Sequence, residues 1–448
     1  MKINVQTRRK ELLLLLITVS ITIIGFVSVE FAAGEPDNFT VGTSMLRIPA
    51  MFAALLLLTH AALCILTPRA DQLIFPTVAF LNGLGLVVIH RLDLSLGREL
   101  AERQIIWTAL GLIVCVATLV VLRDYRILTR FSYLLGALGL VLLAVPLVSP
   151  QPVESDARIW LMIGPFSIQP GEIAKVLLIA FFAMLISQKR ALFSVAEHRF
   201  LGIGFPRLRD LAPIAVIGAI ALVIMALTND FGPALLLFLT VFGMVYVATS
   251  RTSWLLIGTA ILLAGGTALA QFSSKIQQRI SNMRDPLADF YNAGNQLSES
   301  LFGLSTGGIT GSGLGQGYPH TIPLAFSDFI LAAIGEELGL IGLAGVLIVF
   351  ALLQCRIFVT ALYTRESYGK LLVTGFGIIL MVQVFVVTGG ISGLIPMTGL
   401  TTPFMSAGGS SLLANYLIIG LVLRVSHNSN QAENAHPKTT AATPGSLT

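Results

Sequence analysis

Apolar residues in this chain fall in long, nearly unbroken runs. They lack the period-two or three-and-four spacing of a half-buried soluble fold. The runs are Leu12–Val29, Leu46–Leu66, Leu73–His90, Gln104–Leu122, Phe131–Val148, Glu172–Ser187, Leu211–Leu227, Pro233–Ala248, Trp254–Gln271, Asp328–Leu353, Lys370–Val387 and Ser410–Leu423. A helix of about 20 apolar residues crosses the ~30 Å hydrocarbon core of a bilayer. The pattern therefore predicts an all-α, polytopic integral membrane protein. It has about twelve transmembrane helices within residues 1–426 and both termini on one side of the bilayer. The first run follows Lys2, Arg8, Arg9 and Lys10 and precedes Ala32, Ala33 and Gly34, a layout shared with cleaved signal peptides. It is longer than a typical signal h-region and reads as a span. Residues 427–448 are polar and aperiodic, and are predicted to be a disordered tail.

Composition agrees with that class. The chain is 55% hydrophobic and only 11% charged, with a mean hydropathy of +0.85, which excludes an ordinary soluble domain. The net charge of +5 does not point to nucleic acid, because the 28 Lys and Arg are sorted by side. With the N-terminus cytoplasmic, most of them fall in cytoplasmic segments, as the positive-inside rule requires. Adding or dropping one span would invert the sides partway along. This topology places residues 149–171, 228–232, 272–327 and 389–409 outside, the third being a large loop before the helix that starts near Asp328. The three cysteines, Cys64, Cys115 and Cys355, lie in or beside apolar runs and read as small fillers, and the six histidines show no ligand spacing.

Candidate chemistry sits where acids meet apolar runs. Asp328 lies at the boundary of TIPLAFSDFILAAIGEELGLIG, with Glu336 and Glu337 about two turns on, at 12–14 Å by roughly 1.5 Å per residue. An ionisable residue in a membrane helix is a functional candidate; equally, Ser327 or Asp328 could cap the helix N-terminus. The pattern alone leaves both open. Glu336 and Glu337 point about 100° apart on a helix, so both cannot face one site, and they read as polar struts to other helices or as a second polar patch. In SIQPGEIAKVLLIA, Glu172 and Lys175 share a helix face at the outer start of a span, where they could form a plain i,i+3 ion pair or the lysine could hold a phosphate. Upstream, Arg158 could bind phosphate or carboxylate, and Trp160 fits an interfacial anchor equally well. Asp230 precedes Gly232 and Pro233 and reads first as an N-cap. Ser410 and Ser411 open the last span after Gly408 and Gly409, where backbone N–H groups could bind an anion; a capped turn is the simpler reading. GGITGSGLGQG (307–317) does not fit a nucleotide fingerprint and is predicted to be a flexible re-entrant or surface loop.

Four blocks taken in order resemble the SEDS family of shape, elongation, division and sporulation proteins, such as RodA and FtsW. They are SIQPGEIAK, NDFGPALLL, DPLADFYNAGNQLSESLFGLSTGGITGSGLG running into SDFILAAIGEELGLIG, and TGLTTPFMSAGGSSLLANY, together spanning about 157–424. The resemblance implies a bacterial cytoplasmic membrane protein with a core of about ten spans. It implies a peptidoglycan glycosyltransferase that polymerises lipid II on the outer face and works with a class B penicillin-binding transpeptidase. It places the family's essential acid on Asp328, its glutamate and lysine on Glu172 and Lys175, its tryptophan on Trp160 and a further acid on Asp230. Lys175 would then stabilise the pyrophosphate leaving group, with Arg158, Arg279 or a divalent cation (Mg or Mn) as candidate helpers. Gly171, Leu324, Ala407 and Ile159 depart from the family's usual serine, glutamate, tyrosine and arginine. Two alternative functions share these features: a lipid II flippase, which would need charge along a path across the bilayer, and a non-enzymatic scaffold, which would tolerate loss of Asp328, Glu172 and Lys175.

Overall fold

In the computed structural model, each predicted apolar run is helical over most of its described residues. The structure describes residues 8–34, 42–150, 157–163, 166–193, 196–200, 203–206 and 212–435. Helices α1 (Arg9–Ala33), α2 (Thr43–Leu66), α3 (Ile74–Leu96) and α4 (Leu100–Val121) come first. A short α5 (Ile127–Arg130) leads into α6 (Ser132–Ala144). The antiparallel hairpin β1 (Leu161–Ile163) and β2 (Phe166–Ile168) precedes α7 (Pro170–Phe193). A second antiparallel hairpin, β3 (Ala196–Phe200) and β4 (Ile203–Pro206), separates α7 from α8 (Ala212–Leu227). Then follow α9 (Phe231–Thr249), α10 (Ser253–Phe272), α11 (Ser274–Arg284), α12 (Asn295–Gly307), α13 (Ile330–Tyr363), α14 (Ser367–Ile391) and α15 (Gly409–Ala435).

Among the described residues, ten helices are long and apolar enough to cross a membrane, and Ser132–Leu147 and Ala212–Leu227 are shorter apolar helices. The 16-residue α8 reaches about 24 Å at 1.5 Å per residue, short of a full bilayer core. The twelve predicted spans thus resolve into ten of spanning length and two that are not. Helices α3, α7, α14 and α15 are mostly buried and form the centre, whereas α1, α10 and α13 mostly face outward. Lipid offers helices no hydrophobic reason to associate, so close backbone approach matters. Gly136 and Gly139 supply it where α6 meets α7: a Cβ at either would come within 2.9 Å of the Phe181 or Leu178 side chain.

Two predicted loops turn out to be structured. Residues 272–327 contain α11 and α12, and α12 packs its buried Leu297, Ser300 and Gly303 toward α13 and α14. The glycine-rich segment is a strut and not the flexible loop its composition suggests. Helix α13 breaks at Gly339 (φ 66°, ψ −171°), which would strand backbone groups in apolar surroundings. The segment takes them up. The N–H groups of Ser312 and Gly313 donate to the Glu336 and Glu337 carbonyls at 3.0 and 2.9 Å, and those of Leu340 and Ile341 donate to Gly308 and Ile309 at 2.9 and 3.1 Å. Arg91 of α3 fastens the break by donating to Glu337 Oε1 at 2.9 Å and to the Gly317 carbonyl at 2.8 Å. Glu336 Oε1 accepts from the Tyr318 N–H at 2.6 Å. Both glutamates are therefore struts, as their spacing predicts. They end a separate first segment, because Leu340–Tyr363 alone runs about 36 Å at 1.5 Å per residue.

At the opposite end of the bundle, the predicted tail boundary moves. Helix α15 continues to Ala435. Ser426 Oγ accepts from the Asp71 N–H at 3.0 Å, His427 Nδ1 from the Arg69 N–H at 3.3 Å, and Asn430 donates to the Arg69 carbonyl at 2.7 Å. Residues 436–448 lie outside the described residues.

Gly339 adopts a positive φ, and a Cβ there would collide with the Gly311 backbone. Gly339→Ala is expected to cost about 3 kcal/mol from strain and overlap. Gly345→Ala, with nothing within 4 Å of its added carbon, is expected to be neutral or to gain about 0.5–1 kcal/mol. Thermal unfolding of the two purified variants in detergent checks the contrast.

Candidate functional site

An irregular segment, Met397–Ala407, ties together the elements that carry the predicted residues. It follows α14 and leads into α15. Asp328 sits just before α13 on a turn held by the Ser327 and Phe329 N–H groups, which reach the Leu324 carbonyl at 2.9 and 3.4 Å, and Leu324 takes a positive φ of 57°. Ser406 Oγ donates to the Ser327 carbonyl at 2.6 Å, and the Ala407 N–H donates to the Phe326 carbonyl at 2.8 Å. Two of the four sequence blocks are therefore hydrogen-bonded to each other at the candidate acid. The N-cap position of α13 is Phe329 and carries no side-chain cap bond. The capping explanation for Asp328 and Ser327 fails.

The Asp328 carboxylate accepts from Ser327 Oγ at 2.9 Å and faces a narrow cleft lined by Val387, Ile391, Met397, Thr398 and Gly399. Across Gly399 lies Arg279 of α11. A Cβ on Gly399 would lie 3.5 Å from Arg279 Nη2 and 3.7 Å from Asp328 Oδ2. Arg279 Nη1 also donates to the Thr398 carbonyl at 3.2 Å. Burial raises the Asp328 carboxyl above the ordinary carboxylate range, against the pull of the Ser327 hydroxyl and the Arg279 charge. Asp328 remains partly exposed as a residue.

The second predicted pair is deeper than expected. Glu172 and Lys175 are buried in the first turns of α7, with Lys175 Nζ 2.6 Å from Glu172 Oε2. Lys175 also donates to Gln383 Oε1 of α14 at 3.4 Å, and Gln383 Nε2 donates to the Thr401 carbonyl at 2.7 Å. Lys175 is thus no free cation at the outer mouth: its ammonium is spent on Glu172 and Gln383. The chain Glu172–Lys175–Gln383–Thr401 braces the segment that also holds Arg279 through Thr398.

Asp230 occupies the N-cap position of α9 but makes no cap hydrogen bond. Burial pushes its carboxyl up to about 7, helped by the nearby Glu172 charge and opposed by Lys275, Arg279 and Lys175. Asp230 therefore shares a field with the α7 pair and with Arg279, and the structural reading of it is replaced. Arg158 is exposed, and its N–H donates to the Thr228 carbonyl at 3.0 Å, setting the segment before β1 beside the Asp230 turn; Trp160 is half-buried next to it. Ser410 and Ser411 are buried and used internally. Ser410 Oγ accepts from the Gln169 N–H at 2.9 Å, and Ser411 Oγ accepts from Thr401 Oγ1 at 3.0 Å. This corrects their assignment to substrate binding.

Sequence reasoning missed Gln383, took Ser327 only as a possible cap, and gave the Thr398–Thr401 stretch no role beyond its place in a block. A glutamine inside an apolar run is a signal of the kind that flagged Lys175. No group of three His, Cys, Asp or Glu converges among the described residues, and Glu172 is already paired with a lysine. The donors present do not make a resident Mg or Mn site, since such an ion would need most of its oxygen ligands from elsewhere.

Comparison with known proteins gives a consistent result. A family model described as cell cycle protein, covering FtsW, RodA and SpoVE, matches residues 71–431. The match begins well before the four sequence blocks and leaves α1 and α2 outside it. The chain is 42% identical over 440 residues to the peptidoglycan glycosyltransferase RodA of Mycobacterium leprae, covering 97% of this chain and 93% of that protein. It is 32% identical to a probable peptidoglycan glycosyltransferase FtsW of Geobacter metallireducens, covering 80% of this chain and 95% of that one. Among solved structures, a chain of a peptidoglycan synthase complex that coordinates polymerization and crosslinking superposes with a TM-score of 0.64 at 28% identity. That superposition covers 80% of this chain and 98% of that one.

Burial pushes the Asp230 carboxyl up to about 7 in the folded chain, well above the range of an exposed carboxylate, so the folded state binds this proton more tightly. Its stabilising contribution is complete below about pH 4 and is lost as pH rises through about 7. Asp230→Asn removes that loss. The variant's melting temperature should gain on wild type between pH 4 and 7 and level off above. Parallel melting curves across this range would contradict the assignment.

Proposed function

The chain belongs to the FtsW/RodA/SpoVE family of cell cycle proteins and is a peptidoglycan glycosyltransferase; we propose that it polymerises lipid II with Asp328 as general base and Arg279 as the cation nearest the reacting groups. One observation carries this reading: Asp328, raised by burial, faces Arg279 across Gly399 in a cleft open to the surface. The C4 hydroxyl of one lipid II sugar attacks C1 of the sugar at the end of another chain. Asp328 takes the hydroxyl proton as the new C–O bond forms. The C1–O bond to undecaprenyl pyrophosphate breaks with its electron pair, and configuration at C1 inverts. A base raised above the ordinary carboxylate range is better matched to a hydroxyl proton. The leaving pyrophosphate needs charge neutralisation more than a proton, so one carboxylate suffices where a glycosidase uses two. Arg279 presents positive charge beside the cleft, and Lys275 on the same helix lies nearer Asp230. Glu172, Lys175 and Gln383 position the Thr398–Thr401 backbone without touching substrate.

The charge bias along the chain supports cytoplasmic termini and a reaction on the outer face. The partner this reading implies is a class B penicillin-binding transpeptidase. The similarity to a synthase complex coordinating polymerization and crosslinking supports it. The higher identity and coverage of the RodA relative over the FtsW relative support a place in the RodA branch.

Purified lipid II, the full chain and its class B penicillin-binding protein test the proposal. Wild type should make glycan strands. Asp328→Asn, equally well folded, should be slower by at least about 100-fold. Arg279→Gln should lose about 10- to 100-fold, with part recovered by Arg279→Lys. Undiminished polymerisation by folded Asp328→Asn would remove Asp328 as the base.

The pH profile gives an independent check. The base must be ionised, so kcat/KM falls as pH drops through the Asp328 pKa. The Ser327 hydroxyl lowers that pKa. Ser327→Ala should therefore move the acid limb to higher pH, and an unmoved limb would separate the limb from Asp328.

A further inference from the structure

Helix α1 lies outside the family match, which begins at residue 71, yet its last turns are fixed to the core on the Asp328 side of the bundle. Phe26 and Val29 are fully buried. The Phe26 ring stacks on the His90 ring of α3 with centroids 4.7 Å apart, and His90 Nε2 lies 2.8 Å from Glu30 Oε1. The next residue on α3 is Arg91, which holds the Gly317 carbonyl and Glu337 Oε1 at 2.8 and 2.9 Å.

The same end of α1 touches the glycine-rich strut directly. A Cβ on Gly315 would lie 2.5 Å from Ala32 Cβ and 3.7 Å from the Val29 Cα and carbonyl oxygen. On α13, the Glu337 carboxylate accepts from the Gly315 N–H. Gly315 is thus held between α1 and α13. It belongs to a run in which Gly311, Gly313 and Gly315 take positive φ of 87°, 105° and 87°. Glycine backbone of that kind has many conformations open to it, so its place is set by what it is pressed against. Beyond it, successive turns lead to the acid. The Tyr318 N–H donates to Glu336 Oε1 at 2.6 Å. The Thr321, Ala325 and Ser327 N–H groups donate to the Tyr318, Ile322 and Leu324 carbonyls at 3.0, 3.2 and 2.9 Å.

We infer that Ala32 is a positioning residue for glycosyl transfer: packed on Gly315, it fixes the place of the strut and, through the turns that follow, the aim of Asp328. The inference rests on the reading of Asp328 as the base. It gives a span outside the family match a part in the reaction, with no contact to substrate. Alanine suits the position because one methyl group fills the space left beside a residue with no Cβ. A larger side chain must move either α1 or the strut, and α1 is held by Phe26, Val29 and Glu30. The neighbouring Ala33 is exposed and provides the control.

The full chain carrying Ala32→Leu or Ala33→Leu tests this with two readouts. The first is hydrogen exchange of the backbone amides in residues 314–328, followed by mass spectrometry. The second is lipid II polymerisation with the class B penicillin-binding protein present. Ala32→Leu should speed exchange in that stretch at least about fivefold. It should lower kcat about 10- to 100-fold with KM within about twofold of wild type. Ala33→Leu should change neither. Ala32→Val, a smaller wedge, should move both readouts in the same direction and serves if Ala32→Leu does not fold. Unchanged exchange, faster exchange with unchanged kcat, or equal effects from Ala33→Leu would overturn the assignment. Asp328→Asn assayed in parallel separates the two proposals. If it is inactive while folded Ala32→Leu behaves as wild type, only the role of Ala32 fails. If it is fully active, the base assignment fails, and exchange and kcat still decide the role of Ala32.

Discussion

Backbone groups that leave a helix inside apolar surroundings must find partners within the protein. That constraint shapes the whole Asp328 end of this molecule. Helix α13 breaks at Gly339, and residues 308–313 supply donors to one side of the break and acceptors to the other. Once that crossing is made, residues 314–327 have little freedom. Glu336 pins Tyr318, Arg91 pins Gly317, and the Leu324 carbonyl collects the turn that presents Asp328. The acid is aimed by a chain of satisfied backbone groups that starts at a helix break, and its own packing contributes little.

Buried charge supplies the second constraint. A lysine and a glutamate taken out of water cost several kcal/mol each unless their geometry repays it, and an apolar pair of similar volume often serves stability as well. Glu172 and Lys175 are retained at full burial, and the lysine reaches on to Gln383 and thereby to Thr401. The same segment receives Arg279 at Thr398 and Ser327 at Ser406. An ion pair that fixes an irregular strand of backbone between an acid and an arginine acts on positioning, which explains its retention better than stability does.

The helices and their order were legible in the sequence because uninterrupted apolar runs need no tertiary information. Asp328, Glu172 and Lys175 stood out as candidates for a related reason: a charge at or inside an apolar run is costly, although a cap or a local ion pair explains it equally well until the blocks are taken together. The failures share a physical origin. Gly307–Gly317 has the same composition whether it flexes in solvent or packs backbone against backbone, and only Gly339, some twenty residues on, decides which. Ser410 and Ser411 look like an open anion site until Gln169 and Thr401, which lie far off or across a turn, take their hydroxyls. Residues 427–430 look disordered because their partner Arg69 is on a distant linker. Gln383 was passed over because a single amide in an apolar run is weaker in sequence than a charge, although it bridges the site.

The irregular segment before α15 shows how such distant links add up. Its own backbone bonds are few, the Met405 and Ser406 N–H groups reaching the Thr402 carbonyl at 3.3 and 3.2 Å, and Phe404 within it takes a left-handed φ of 66°. Strain of that kind persists only where the surroundings over-determine it. Here they do: Asn82 of α3 donates to the Phe404 carbonyl at 2.9 Å, Gln104 of α4 to the Ser406 carbonyl at 2.9 Å, and Gln383 of α14 to Thr401. Three helices of the core thus each spend a buried amide on one short stretch of backbone. Amides suit that task because they donate without bringing a charge that would compete with Asp328 and Arg279 for the field in the cleft. The electrostatics of the site can then be set by a few ionisable groups, while its shape is set by neutral ones.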